Sequence, residues 1–233
     1  MVEPLVLLPG MMCDARLFAH QLLTLGRDRV VMVAPIHLGE RVEEIASDLL
    51  DQLPQRFALA GLSMGGIIAM EIYRRAPDRV TRLCLMDTDV QADTPMIAAA
   101  REPMIVGAKA GRLDEVLREA LRREYLAPNA NRMQILEQVY AMGRDMGAEA
   151  FVRQSRALQR RPDQQGTLRK IKVPTLVLCG AHDGLTPVKR HNFMADLIPG
   201  AELQVIENAG HLPTLETPDT VTRALSGWLQ RGQ

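Results

Sequence analysis

Three side chains of complementary chemistry sit just past apolar runs: Ser63 in Gly61-Leu62-Ser63-Met64-Gly65, Asp183 in Gly180-Ala181-His182-Asp183-Gly184, and His211 in Ala209-Gly210-His211-Leu212-Pro213. A serine hydroxyl is a weak nucleophile until a base takes its proton. Imidazole does this well when a carboxylate orients it and stabilises its cation. Asp87, after another apolar run, is a rival carboxylate to Asp183, which carries the fuller motif. Asp89 nearby reads as loop capping. A Gly-x-Ser-x-Gly match alone is a weak signal, but its flanks sharpen it. The run 57–62 before it is strand-like, and Ile67 to Tyr73 after it has helical spacing. A strand that turns abruptly into a helix with serine at the corner is a nucleophile elbow. Such a serine is expected in a strained backbone conformation. Gly61 and Gly65 are expected where strand and helix approach too closely for a Cβ, and the helix N-terminus should point its free N–H groups at the serine.

The elements that must position these groups follow from the pattern. Short apolar runs at 5–8, 29–34, 57–62, 82–87, 173–180 and 202–206 read as strands. Amphipathic or helical spacing covers 16–25, 42–53, 64–76, 187–197 and 218–229. Alternation at this spacing predicts an α/β fold: a mostly parallel sheet of about six strands with helices on both faces. From 95 to 166 only helical stretches occur, roughly 95–109, 112–125, 130–145 and 148–160. The expected organisation is a core of residues 1–94 and 167–233 with an all-helical cap, 95–166, inserted between two strands. In a parallel sheet all strands end on one side, so the loops carrying Pro9-Gly10-Met11-Met12, Ser63, Asp87, Asp183 and His211 should converge in one crevice.

With Leu8-Pro9-Gly10, Gly61-x-Ser63-x-Gly65, Gly180-x-x-Asp183-x-x-x-Pro187 and Ala209-Gly210-His211-x-x-x-x-Glu216-x-Pro218 in this order, the chain resembles an α/β-hydrolase with a helical lid, of the serine hydrolase or carboxylesterase branch. The resemblance covers nearly the whole length. It implies Ser63 as nucleophile, His211 as general base and then acid, Asp183 as orienting carboxylate, and the backbone N–H groups of Met11 and Met64 as the oxyanion hole. Two departures stand out. The family usually has His-Gly where this chain has Pro9-Gly10, and the first strand begins at residue 5, with no room for the antiparallel hairpin that usually opens the fold.

Other residues read more plainly. Met11, Met12 and Met64 should line the pocket. Arg153, Arg156 and Arg160, spaced i, i+3, i+7, share one helical face; they are either a solvated face or a basic rim for an anionic substrate or an acidic carrier protein. The segment 95–172 holds 15 Lys/Arg against 9 Asp/Glu, an excess of +6 within a chain of zero net charge. His182 should face the surface, His20 and His191 sit in helical stretches, His37 is a possible crevice residue, and Trp228 should be packing. Zero net charge gives no case for nucleic acid or membrane. Cys13, Cys84 and Cys179 have no metal-like spacing and read as buried free thiols in a reducing compartment, so no metal or other cofactor is expected and a cytoplasmic location is. The N-terminus lacks a signal-peptide pattern. The expected activity is cleavage of an ester-type bond of a small or medium acyl substrate through an acyl-enzyme. Enol-lactone or carbon–carbon bond hydrolysis on the same triad, or a ligand-binding receptor on the same fold, are the alternatives. Oligomeric state is not legible.

Overall fold

The computed structural model describes residues 2–128 and 131–231. Its sheet has six strands: β1 Leu5–Leu8, β2 Val31–Val33, β3 Phe57–Leu62, β4 Val80–Met86, β5 Thr175–Gly180 and β6 Glu202–Ile206. They lie in the order β2-β1-β3-β4-β5-β6, and every pairing is parallel. The helices are α1 Ala19–Leu25, α2 Val42–Gln52, α3 Met64–Arg75, α4 Pro95–Ala100, α5 Glu102–Lys109, α6 Leu113–Ala120, α7 Arg132–Gln159, α8 Gln165–Leu168, α9 Val188–Leu197, α10 Pro213–Glu216 and α11 Pro218–Gln230.

The strands are apolar on both faces because both faces are covered. Side chains alternate between the faces, so each strand feeds two cores. Leu5, Leu7, Ala58, Ala60, Leu62, Cys84 and Leu176 face a layer that includes Leu225 and Trp228 of α11. Val6, Leu8, Leu59, Leu83, Leu85 and Val177 face the other, with α2, α3 and Met194 of α9. Trp228 is fully buried and donates its indole N–H to Pro174 O at 3.1 Å. All three cysteines are buried and free, and burial pushes the thiols of Cys13 and Cys179 up to about 12, so they stay protonated.

Between β4 and β5 the described chain forms helices and no strand. The expected single helix 95–109 is two, because Glu102-Pro103 starts a new one: proline suits the first turn and not the interior. The expected helix 112–125 stops at Ala120 and gives way to a 3-10 turn at Arg123–Tyr125. The span α7 consists of two helices, as expected over 130–145 and 148–160, that meet at Gly147, whose φ +82° and ψ 169° are not helical; residue 130 lies outside the described residues.

Chain connection places the crevice. From β1 the chain steps outward to β2, then returns past β1 to β3 and proceeds the other way. The C-terminal ends of β1 and β3 therefore flank the point where the winding reverses, which is where a parallel α/β sheet opens a crevice.

Candidate active site

Ser63 joins β3 to α3 with φ +54° and ψ −117°, a conformation side-chain-bearing residues rarely adopt. The close approach expected at its neighbours is present. A Cβ on Gly61 would lie 2.3 Å from Gly65 O, and one on Gly65 would lie 2.1 Å from Leu8 O. Strand, helix and β1 are thus locked around the corner. Thr88 Oγ1 donates to Ser63 O at 2.7 Å, tying the corner to the loop after β4.

The loops after β5 and β6 deliver the other two groups. His211 Nε2 lies 3.0 Å from Ser63 Oγ, and its Nδ1 lies 2.9 Å from Asp183 Oδ2. Asp183 is nearly fully buried yet well supplied with donors: the N–H groups of Leu185 and Thr186 reach Oδ1 at 2.8 and 2.9 Å, and Thr186 Oγ1 reaches Oδ2 at 2.5 Å. Burial alone would raise its pKa, but the His211 charge and hydrogen bond together with Thr186 outweigh that and hold the carboxyl well below the usual range. An ionised Asp183 only accepts, so Nδ1 of His211 carries the hydrogen and Nε2 turns its lone pair to the serine hydroxyl.

Asp87 lies beside this pair, fully buried at φ +43°, with one donor, the Gly180 N–H at 2.9 Å from Oδ1. Burial and then the Asp183 charge push its carboxyl well above the ordinary value. Two adjacent buried carboxyls do not both ionise readily, and the one with more donors keeps the charge. Asp183 has the His211 bond and three further donors; Asp87 has one. Ligand atoms of Asp87, Asp183 and His211 lie within 4.8 Å of one another. A cation there would compete with the Asp183–His211 hydrogen bond.

A cavity of about 460 Å³ opens over Ser63 and His211, bordered by Met11, Met12 and Met64 and roofed by residues of α4 to α7. Met64 is the first residue of α3, so its N–H is one of the amides a helix leaves without an internal acceptor. The Met12 N–H is engaged, donating to Gln154 Oε1 of α7 at 2.9 Å, and Met12 itself takes φ +54°.

The other residues singled out in sequence are elsewhere. Arg153, Arg156 and Arg160 do not border the cavity. Arg153 donates to His37 O at 2.8 Å, Arg156 pairs with Glu102, and Arg160 lies 3.6 Å from Glu40. The helical spacing grouped them properly, but Glu149 of the same helix and Glu102 and Glu40 of neighbouring segments meet them at the surface. His182 is exposed, and His20 lies between Thr222 and Asp219. His191 is buried, its Nε2 accepting the Thr88 N–H at 3.0 Å; burial lowers its pKa to about 4, so it is neutral. Asp89 caps its loop, accepting the Gln91 N–H, and also pairs with Arg190.

Sequence reasoning missed two side chains that hold the loops. Fully buried Gln154 links α7 to the loop after β1. Glu216 accepts from the N–H groups of Gly210 and Leu212, both at 2.9 Å, and of Ala127 at 2.7 Å, clasping the His211 loop to the segment between β4 and β5. The Glu216-x-Pro218 pattern was a signal for the second; nothing local marks the first.

A model described as "Alpha/beta hydrolase family" matches residues 5–224. The chain belongs to the α/β-hydrolase family. Among relatives of this hydrolase, a pimeloyl-[acyl-carrier protein] methyl ester esterase of Aromatoleum aromaticum is 28% identical over 78% of the chain and 77% of that protein. A putative carbamate hydrolase of Pseudomonas savastanoi is 25% identical over 97% and 93%. A thermophilic esterase from Thermogutta terrifontis superposes with a TM-score of 0.90 at 27% identity, covering 98% of this chain and 90% of that one. An enol-lactonase from Burkholderia xenovorans, 22% identical over 99% and 92%, shares the fold with a TM-score of 0.86. No helix among the described residues of the hydrolase is long and apolar enough to cross a membrane.

Proposed function

We propose that this hydrolase cleaves a carboxylic ester through an acyl-enzyme on Ser63, with His211 as base and then acid and Asp183 as the carboxylate that orients it. The observation that carries this reading is the continuous hydrogen-bonded chain Asp183–His211–Ser63, ending at a hydroxyl that faces the cavity. Ser63 Oγ attacks the ester carbonyl as its proton passes to His211 Nε2. The carbonyl oxygen gains negative charge, which the Met64 N–H at the helix N-terminus and the Met11 N–H would receive. Collapse expels the alcohol, which takes the proton from His211. A water activated by the same imidazole then releases the acid. The helices over the cavity act as a cap that excludes water and sets acyl preference.

Esterase relatives support ester chemistry, and the first of those named above adds a carrier-linked methyl ester as a candidate substrate. An acidic carrier docking on Arg153, Arg156 and Arg160 would have to displace Glu149, Glu102 and Glu40. The test is turnover of p-nitrophenyl esters of graded acyl length with Ser63→Ala as control. A burst of nitrophenol equal to enzyme, followed by slower turnover, is expected. Activity that survives in Ser63→Ala would overturn the assignment.

A further inference from the structure

The cavity carries a charged corner that the hydrolytic step does not use. Arg101, Arg161 and Arg190 border it together with Asp89 and Asp93. Arg161 donates to Asp93 at 3.0 Å and lies 3.6 Å from Asp89. Arg101 reaches Asp93 at 2.9 Å, and Arg190 pairs with Asp89. Three guanidiniums share two carboxylates, leaving one positive charge over. Glu119 and Arg122, which also border the cavity, add no net charge.

The excess sits where it is costly. The Arg161 side chain is 10% exposed and that of Asp93 1%, and the Arg161 Nε–H has no acceptor. Buried guanidiniums are normally saturated with acceptors, and burial here pulls Arg161 below its ordinary pKa against the pull of Asp93 and Asp89. A network serving stability alone would be better neutral. The planar fork of arginine matches a carboxylate, and a single surplus charge matches a monoanion. The same cavity is also lined by Met104, Leu121 and Leu158, which suit methylenes.

Resting on the ester-hydrolase reading, we infer that Arg161 and Arg190, with Arg101, form a subsite for a free carboxylate at the far end of the acyl chain, so that the substrate class is the half-ester of a dicarboxylic acid. The carboxylate would share Arg161 and Arg190 with Asp89 while the ester carbonyl lies at Ser63.

The test compares monomethyl half-esters of C4 to C8 dicarboxylic acids with methyl esters of the matching monocarboxylic acids. At one chain length the half-ester should have a kcat/KM about ten- to a hundredfold higher, a preference that shrinks with added salt. Arg161→Met should abolish the preference. Because that change removes one partner from each of two buried aspartates, Arg190→Gln, at a partly exposed position, provides the second variant and should reduce it. Equal or lower kcat/KM for every half-ester in the wild-type protein would overturn the subsite while leaving the hydrolase reading intact. If neither ester is turned over, calorimetry on Ser63→Ala separates the two ideas. Half-ester binding that exceeds methyl ester binding and weakens in Ser63→Ala/Arg190→Gln sustains the subsite without the reaction, and equal binding of both ester classes sinks it.

Discussion

The strand ends and the helices above them solve opposite problems. At the strand ends the reactive groups sit on short loops with strained, over-determined backbone: Met12, Ser63 and Asp87 all have positive φ, and Asp183 is held by three donors besides His211. In the helices between β4 and β5, by contrast, Met96 is 80% exposed and Met133 61%, and Arg153, Arg156 and Arg160 are paired at the surface. Rigid loops hold atoms for one chemistry, whereas a cavity lining that includes an adaptable methionine, Met104, tolerates change. Substitutions at the strand ends should therefore destroy turnover, and substitutions in the helices should retune it.

The largest expected contrast lies within the strand ends themselves. Asp183→Asn should lower kcat about 1,000- to 10,000-fold by leaving His211 in the wrong tautomer. Asp87→Asn, which replaces a carboxyl whose pKa burial and the Asp183 charge raise, should stay within about tenfold of the wild type. Reversal of these two results in steady-state assays would move the carboxylate role to Asp87.

Next in size is the tie between the two regions. Gln154→Leu frees the Met12 N–H and loosens the loop that carries Met11. A misplacement of this kind costs up to about 100-fold, and it should appear in kcat with the melting temperature lowered only modestly. A change confined to KM would show that the tie serves binding instead.

His191 supplies a pH signature. Its folded pKa, about 4, lies below the unfolded value near 6.5, so the unfolded chain binds more protons between them. Stability should fall by up to about 3 kcal/mol as pH drops from 6.5 to 4 and lose nothing further from this group below that. In His191→Gln, which keeps an acceptor for the Thr88 N–H, urea titrations should show that slope removed; an unchanged slope would contradict a buried neutral imidazole.

The smallest effect belongs to the surface of α7. Arg153, Arg156 and Arg160 changed together to alanine should alter turnover of small esters by less than about threefold, since exposed pairs are worth little. A large, salt-sensitive loss confined to a carrier-linked ester would make that face a docking site.

How much of this could be read from the chain follows the same division. Strands β3 and β6 fall at the expected bounds, and Ser63, Asp183 and His211 come together as their positions after strands implied, because apolar runs and turn residues are local signals. The break at Arg101 was readable in Glu102-Pro103 but lost within an otherwise helical spacing. Gln154 was not readable at all, since it bonds to an amide 142 residues away and no spacing encodes such a contact. Likewise Arg161, beside Arg160 in sequence, turns inward to Asp93 while its neighbour meets Glu40 at the surface; a run of basic residues does not reveal which one is buried.

The most direct test of the account is labelling of the folded protein with a fluorophosphonate, followed by peptide mass mapping. One adduct per chain, on Ser63 and absent from Ser63→Ala, is the expected result, with labelling slowed strongly in Asp183→Asn. A folded wild-type protein that resists the probe, or carries the adduct on another residue, would contradict the assignment of Ser63 as nucleophile.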